Sequence, residues 1–130
     1  MPGIDECLLE AMGLPGARGA AVVDWTSGLA LGTIGEAASG DHETTAAETA
    51  ELARMAAEHA AFGAADAPDT GASPVEDVIV TSHSGYHLLR YVETAFDSSV
   101  FVHLWLDRHQ GNLALARLRL TQLAGALVLS

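Results

Sequence analysis

The 130-residue chain has no lysine. All six of its cationic side chains are arginine, set against seventeen carboxylates, for a formal net charge of −11. That absence excludes the phosphate loop G-x-x-x-x-G-K, whose lysine reaches the terminal phosphates of a nucleotide. Gly28, Gly32 and Gly35 therefore make no such loop, and any nucleotide is expected to belong to a partner. A surface this acidic repels nucleic acid and anionic membranes and steers a partner with a basic patch toward it, unless the charge serves solubility alone.

Cysteine is nearly absent too. Cys7 stands alone, so no disulfide can close within the chain. It shares the apolar side of a short helix with Ile4, Leu8, Ala11 and Met12 and reads as a buried, inert thiol rather than a nucleophile. No apolar run approaches the roughly 20 residues that cross a bilayer, so membrane insertion is not expected. The opening "MPGIDECLLE" lacks the basic start and apolar stretch of a secretion signal, which makes the expected setting cytoplasmic. Neither an HExxH pair nor a G-x-S-x-G elbow occurs.

What is present suits one domain: 49% of the residues are hydrophobic, enough for a single core reaching from about residue 4 to 128 within a domain of 1–130. Residues 4–14 read as a helix stopped by "GLPG". "RGAAVVDW" and "GLALGTIG" read as strands joined by a tight turn for which Gly28 supplies the freedom. A helix follows, capped by Asp41 or Thr44, with Thr45 and Glu48 at capping-box spacing, running to about Phe62 before Gly63. Residues 64–73 are turn-rich and read as a loop. "VEDVIVTS" and "YHLLRYVE" make a second hairpin around "HSG". "SSVFVHLWLD" is apolar on both faces and hence a central strand. The last helix aligns Leu113, Ala116, Leu120, Leu123 and Leu127. The order α-β-β-α-β-β-β-α specifies an α+β domain built on a five-stranded, mainly antiparallel sheet.

The middle helix has two apolar faces where a helix lying on a sheet needs one. Leu52, Met55, His59 and Phe62 form one stripe; Ala50, Ala53, Ala57 and Ala61 cover the other side, with Glu51 and Glu58 on one edge and Arg54 on another. The alanine face is read as the outward one, meeting solvent or, in preference, a partner helix at close approach. The reverse stays open: alanines on the sheet, with the Leu52 stripe forming a dimer contact.

Taken together, the element order, "GAAVVDWTSGLALGT", the acid-rich middle helix and "VEDVIVTSHSGYHLLRYVE" resemble the Roadblock/LC7 family, and "FVHLWLDRHQGNLALARLRL" is similar to its bacterial, particularly actinobacterial, members. The resemblance implies a profilin-like sheet with the long middle helix on one face and the terminal helices on the other. It also implies homodimers that set middle helices side by side and join third strands edge to edge, and a role as regulator or scaffold of small Ras-like GTPases. It brings no catalytic residues.

The functional expectation is accordingly a non-enzymatic homodimeric scaffold or regulator, its partner a small Ras-like GTPase or another signalling protein, with no cofactor and no metal. The rival is a small-molecule sensor or a generic signalling-complex interaction domain. Leu52, Met55, His59, Phe62, Val78 and Val80 are the expected dimer or partner interface. Glu48, Glu51, Arg54 and Glu58 are the partner-facing charges, forming a rim around the apolar seam; Arg54 as an arginine finger competes with a solvated or ion-paired arginine. His83 sits in a turn and His87 on the next strand, so the pair need not share a face. With only His103 as a further core contributor, they fall short of the three or four converging ligands of a metal site. A triad from Ser82 or Ser84 with His103 and Asp107 is formal only. Trp105 reads as core, and Trp25 as core or as an exposed contact.

Overall fold

The computed structural model describes residues 3–63, 74–92 and 99–127. The elements in chain order are α1 (Ile4–Met12), β1 (Ala17–Asp24), β2 (Leu29–Gly35), α2 (His42–Glu58), a single 3-10 turn at Ala60–Phe62, β3 (Asp77–Thr81), β4 (Gly85–Val92), β5 (Val100–Asp107) and α3 (Leu113–Ala126). The expected loop at 64–73, the strand ends at Glu93 and Ser98 and the helix tail beyond Leu127 lie outside the described residues.

The five strands form one sheet in the order β2-β1-β5-β4-β3, and every pairing is antiparallel. β5 is central, as its two apolar faces require, and is buried at each position from Val100 to Leu106. α1 and α3 cover one face, packing Cys7, Leu8, Ala116, Leu120 and Leu123 on Val22, Leu88, Val102, Leu104 and Leu106. α1 crosses β2 at Gly32, where a Cβ would stand 2.6 Å from Ile4 Cγ2, so only glycine lets the helix sit that low. Gly28, in the β1–β2 turn, takes the left-handed φ of 77° that this tight connection demands. Among the described helices, α2 alone covers the other face.

α2 departs from expectation in three ways. Its buried face is the alanine one: Ala46, Ala50 and Ala53 pack on Ala21, Val23, Leu89, Tyr91 and Phe101. The outward-alanine reading is thereby reversed, because Tyr91 and Phe101 rise from the sheet and leave room only for small residues beneath the helix. The Tyr91 hydroxyl reaches far enough to donate to the Ala53 carbonyl. Second, the helix ends at Glu58, short of Phe62. His59 turns extended (φ −77°, ψ 130°); its backbone N–H closes the last helical bond to the Met55 carbonyl, and its ring Nδ1 lies 2.6 Å from the same oxygen. Third, although the cap is Asp41, one of the two expected, whose carboxylate accepts from the Glu43 and Thr44 amides, the capping box is missing. Thr45 and Glu48 do not form it, since Thr45 is buried and its hydroxyl pairs with Ser39.

Candidate interaction surface

With alanines turned inward, the large apolar side chains of α2 are left outside. Leu52, Met55 and Phe62 are 37%, 54% and 61% exposed, far more than residues of this kind usually show. They line a groove of about 380 Å³ between α2 and β3, with Ala56, His59, Val75, Asp77 and Val78 completing its walls. β3 is an edge of the sheet, so among the described residues no strand pairs with its outer backbone groups, and Ile79 and Val80 are exposed there. An apolar groove beside an open strand edge is an association surface in physical terms.

Asp77 fixes the strand at this groove. It accepts from Arg117 Nε of α3 at 2.6 Å and lies 4.0 Å from Arg90 of β4. The ion contacts tie the edge strand to the opposite layer and hold its position against α2.

Of the six positions expected at an interface, Leu52, Met55, His59, Phe62 and Val78 line the groove together; Val80 lies further along the edge, opposite His87. Sequence reasoning missed Ala56, Val75 and Asp77. Ala56 was hidden among equivalent alanines, and the other two required knowing that α2 lies alongside the start of β3. None of Glu48, Glu51, Arg54 and Glu58 lines the groove, though all four are exposed. Ala47 is the helix residue nearest Gly28. Arg54 and Glu58, seven and eleven residues further on, therefore share the flank toward the β1–β2 hairpin.

A second feature escaped the sequence entirely. His87 Nδ1 and His103 Nε2 are 3.0 Å apart. Their ring planes differ by 18° with centroids 5.2 Å apart, an edge-to-edge meeting in which one ring donates N–H to the other. His87 lies nearly parallel to Trp105, and the Arg18 guanidinium sits 3.8 Å from the Trp105 ring centre. The β4–β5 register creates this row by setting His87 opposite Trp105 and Leu89 opposite His103. Burial holds His87 below the usual histidine range. Burial, then the charges of His87 and His42, push His103 down to about 3. Both rings are therefore neutral at neutral pH. They floor a cavity of about 330 Å³ whose walls are Ala38, Ser39, Thr45, Glu48 and Thr49.

The remaining candidates are accounted for. Among the described residues no three His, Cys, Asp or Glu side chains converge as a metal cluster, and His83 is an exposed turn residue. Ser82 is spent on both backbone groups of Gly85, Ser84 is an exposed turn residue, and Asp107 accepts from the amides of His109 and Gln110, so neither serine is set in a triad with buried His103. Cys7 is fully buried, and burial followed by the nearby Glu10 charge raises its thiol pKa. Trp105 is core, and Trp25 packs on the α2-side core with its indole nitrogen buried. No helix among the described residues is long and apolar enough to cross a membrane.

No family model matches the chain, and no curated protein does. Solved structures do. MglB of Myxococcus xanthus superposes with a TM-score of 0.73 at 17% identity, covering 93% of this chain and 81% of that one. The gliding protein MglB of Thermus thermophilus gives 0.71 at 17% identity over 95% and 84%. A Roadblock/LC7 domain from Streptomyces avermitilis gives 0.66 at 17% identity over 95% and 92%. At such identities the likeness is one of fold, and the chain, with its central β5, its lone α2 on one face and its paired terminal helices on the other, has the Roadblock/LC7 fold.

Proposed function

We propose that the chain is a non-enzymatic homodimeric regulator or scaffold, joined through the α2–β3 groove and serving a small Ras-like GTPase in the cytoplasm. The observation that carries the dimer is the pairing of exposed Leu52, Met55 and Phe62 with the open edge of β3. A second copy related by a two-fold axis would cover the apolar seam and add a strand to the edge at once, which answers two liabilities with one contact. The GTPase partner is supported by the fold shared with two MglB structures and a Roadblock/LC7 domain and by what that resemblance implies. The chain's lack of any lysine fits a protein that leaves the nucleotide to its partner.

The charged flank carrying Glu51, Arg54 and Glu58 lies away from the groove and stays free in such a dimer, available to a basic partner surface whose association weakens as salt rises. The rival sensor reading needs space between helix and sheet. Ala46, Ala50, Ala53, Leu89, Tyr91 and Phe101 fill that layer, and the large groove opens outside it.

Light scattering at micromolar concentration tests the assembly: about twice the 13.5 kDa chain mass is expected, and a monomer would refute it. Capture from the source cell with GTP or GDP analogues present tests the partner. A small GTPase is expected in the eluate, its recovery reduced when Glu51 and Glu58 are reversed to lysine. Recovery of a metabolite and no GTPase would put the sensor reading in its place.

A further inference from the structure

We propose that the His87–His103 pair is a proton-operated latch, holding the first two turns of α2 on the sheet while both rings are neutral and releasing them when buried His103 must carry a charge. This does not rest on what the α2–β3 groove binds.

His103 is 4% exposed and spends Nε2 on His87. Above the rings lie Thr45, Ala46 and Thr49 of α2. The Thr49 hydroxyl spends its proton on the Thr45 and Ala46 carbonyls, and that of Thr45 pairs with Ser39, so the roof directly above the rings brings hydroxyls and no carboxylate to them. The charged or titratable groups that face the pair are few. α2 contributes His42, whose Nε2 is already at the Gly35 carbonyl, and Glu48 on the open side of the cavity; the β2–α2 connection contributes Glu36, paired with Arg18. β1 contributes Arg18, over Trp105, and β3 offers only Val80 opposite His87. Glu48 is exposed, and water screens it from the buried ring. An imidazolium at His103 would thus lie unpaired, beneath the helix end whose dipole is positive.

The hydrogen bond itself sets the count. The facing nitrogens Nδ1 and Nε2 hold one proton between them; a second cannot be placed there without two N–H groups meeting head on. The same head-on approach argues against a metal, which needs lone pairs converging on a point between the rings. The open cavity brings water toward half-buried His87, but His103 is buried, so solvating a charge on His103 requires α2 to rise. Over its first two turns the helix itself buries little, Thr45 and Ala46, and the bulk of Leu89, Tyr91 and Phe101 meets its later alanines.

The sign of the pH dependence follows. Both histidines are held below their ordinary 6.5 in the closed form. The open form then binds more protons, and closure, complete above about pH 6.5, weakens as pH falls. A single histidine that charges only in the open form raises the open fraction about thirtyfold at about pH 5.

Amide exchange, corrected for the intrinsic effect of pH, reads this directly. Protection across residues 45–53 of the wild-type chain is expected to fall about thirtyfold or more between about pH 7.5 and 5, while that of 116–124 in α3 holds. The double variant His87→Phe, His103→Phe should lose less than about threefold over the same range. Equal losses in wild type and variant, or an α3 loss equal to that of α2, would overturn the latch. Should the variant not fold, imidazole ¹⁵N shifts of the wild type decide. Proton uptake at His103 in step with α2 opening sustains the proposal, and uptake with α2 protection intact defeats it.

Discussion

The two faces of this sheet are held by different means. On one, α1 and α3 press leucines into the valines and leucines of β1, β4 and β5, and Leu104, Leu106 and Leu120 reach zero exposure. On the other, α2 buries only small residues, Thr45 and three alanines, while the bulk on that side comes from the strands as Leu89, Tyr91 and Phe101. Toward its N-terminal end even that gives way to a polar row of His87, His103 and Trp105. The α1/α3 layer is an anchor. The α2 layer is a close-fitting but lightly held lid whose bulky residues point outward. A helix that keeps its large side chains for the outside is arranged for a partner there, and one that buries little is easily moved.

The contrast is sharpest under truncation of the anchor. Leu120→Ala should destabilise the fold by about 3 kcal/mol, within the 2–5 expected of a buried leucine that leaves a cavity. Chemical denaturation would show the midpoint falling with its slope unchanged. A loss under about 1 kcal/mol would mean that the α1/α3 face is no better packed than the α2 face, and the comparison would fail.

The lid breaks in the opposite direction, by addition. Ala53 is fully buried and its carbonyl accepts from Tyr91, so Ala53→Leu should overpack the contact and cost about 2 kcal/mol. The exchange of α2 amides should rise more than that of α3. A neutral result would show that α2 stands off the sheet and that its alanines are a matter of helix propensity rather than fit.

These asymmetries were unequally legible in the amino-acid order. β5 could be read as central because unbroken apolar character at Val100–Leu106 allows no solvent face. The stripe Ala116, Leu120 and Leu123 likewise declared how α3 would lie. α2 could not be oriented, because leucine-type and alanine stripes are both apolar. The deciding fact, that Tyr91 and Phe101 stand tall beneath it, is a property of strands far away in sequence. The end of α2 was misplaced because nothing in "EHAAFG" announces that His59 will turn extended and reach back to the Met55 carbonyl. The histidine pair depends on the register of β4 against β5, where a shift of one residue would send His87 to the other face. Of the groove, the sequence offered Leu52, Met55, His59, Phe62 and Val78 as separate letters. Their convergence with Asp77 depended on where the start of β3 comes to lie.

The smallest effect on folding should come from the most exposed part of the lid. Met55 is 54% exposed on the outer side of α2. In the isolated chain Met55→Asp removes little buried area and adds only a poorer helix former, for a cost of about 0.5 kcal/mol. Its effect on assembly should be far larger. A carboxylate carried into the middle of an apolar seam would be desolvated without a partner, and the two-fold axis would bring in two of them. Thermal melts at low concentration should therefore nearly superimpose on wild type, while light scattering at micromolar concentration reports a monomer. Were the variant to melt far lower than wild type even when dilute, Met55 would belong to the fold's own core and the inward-alanine arrangement would be wrong. Were it to remain a dimer, the groove would not be the joining surface, and the outward bulk of α2 would have to be assigned to a partner of another kind.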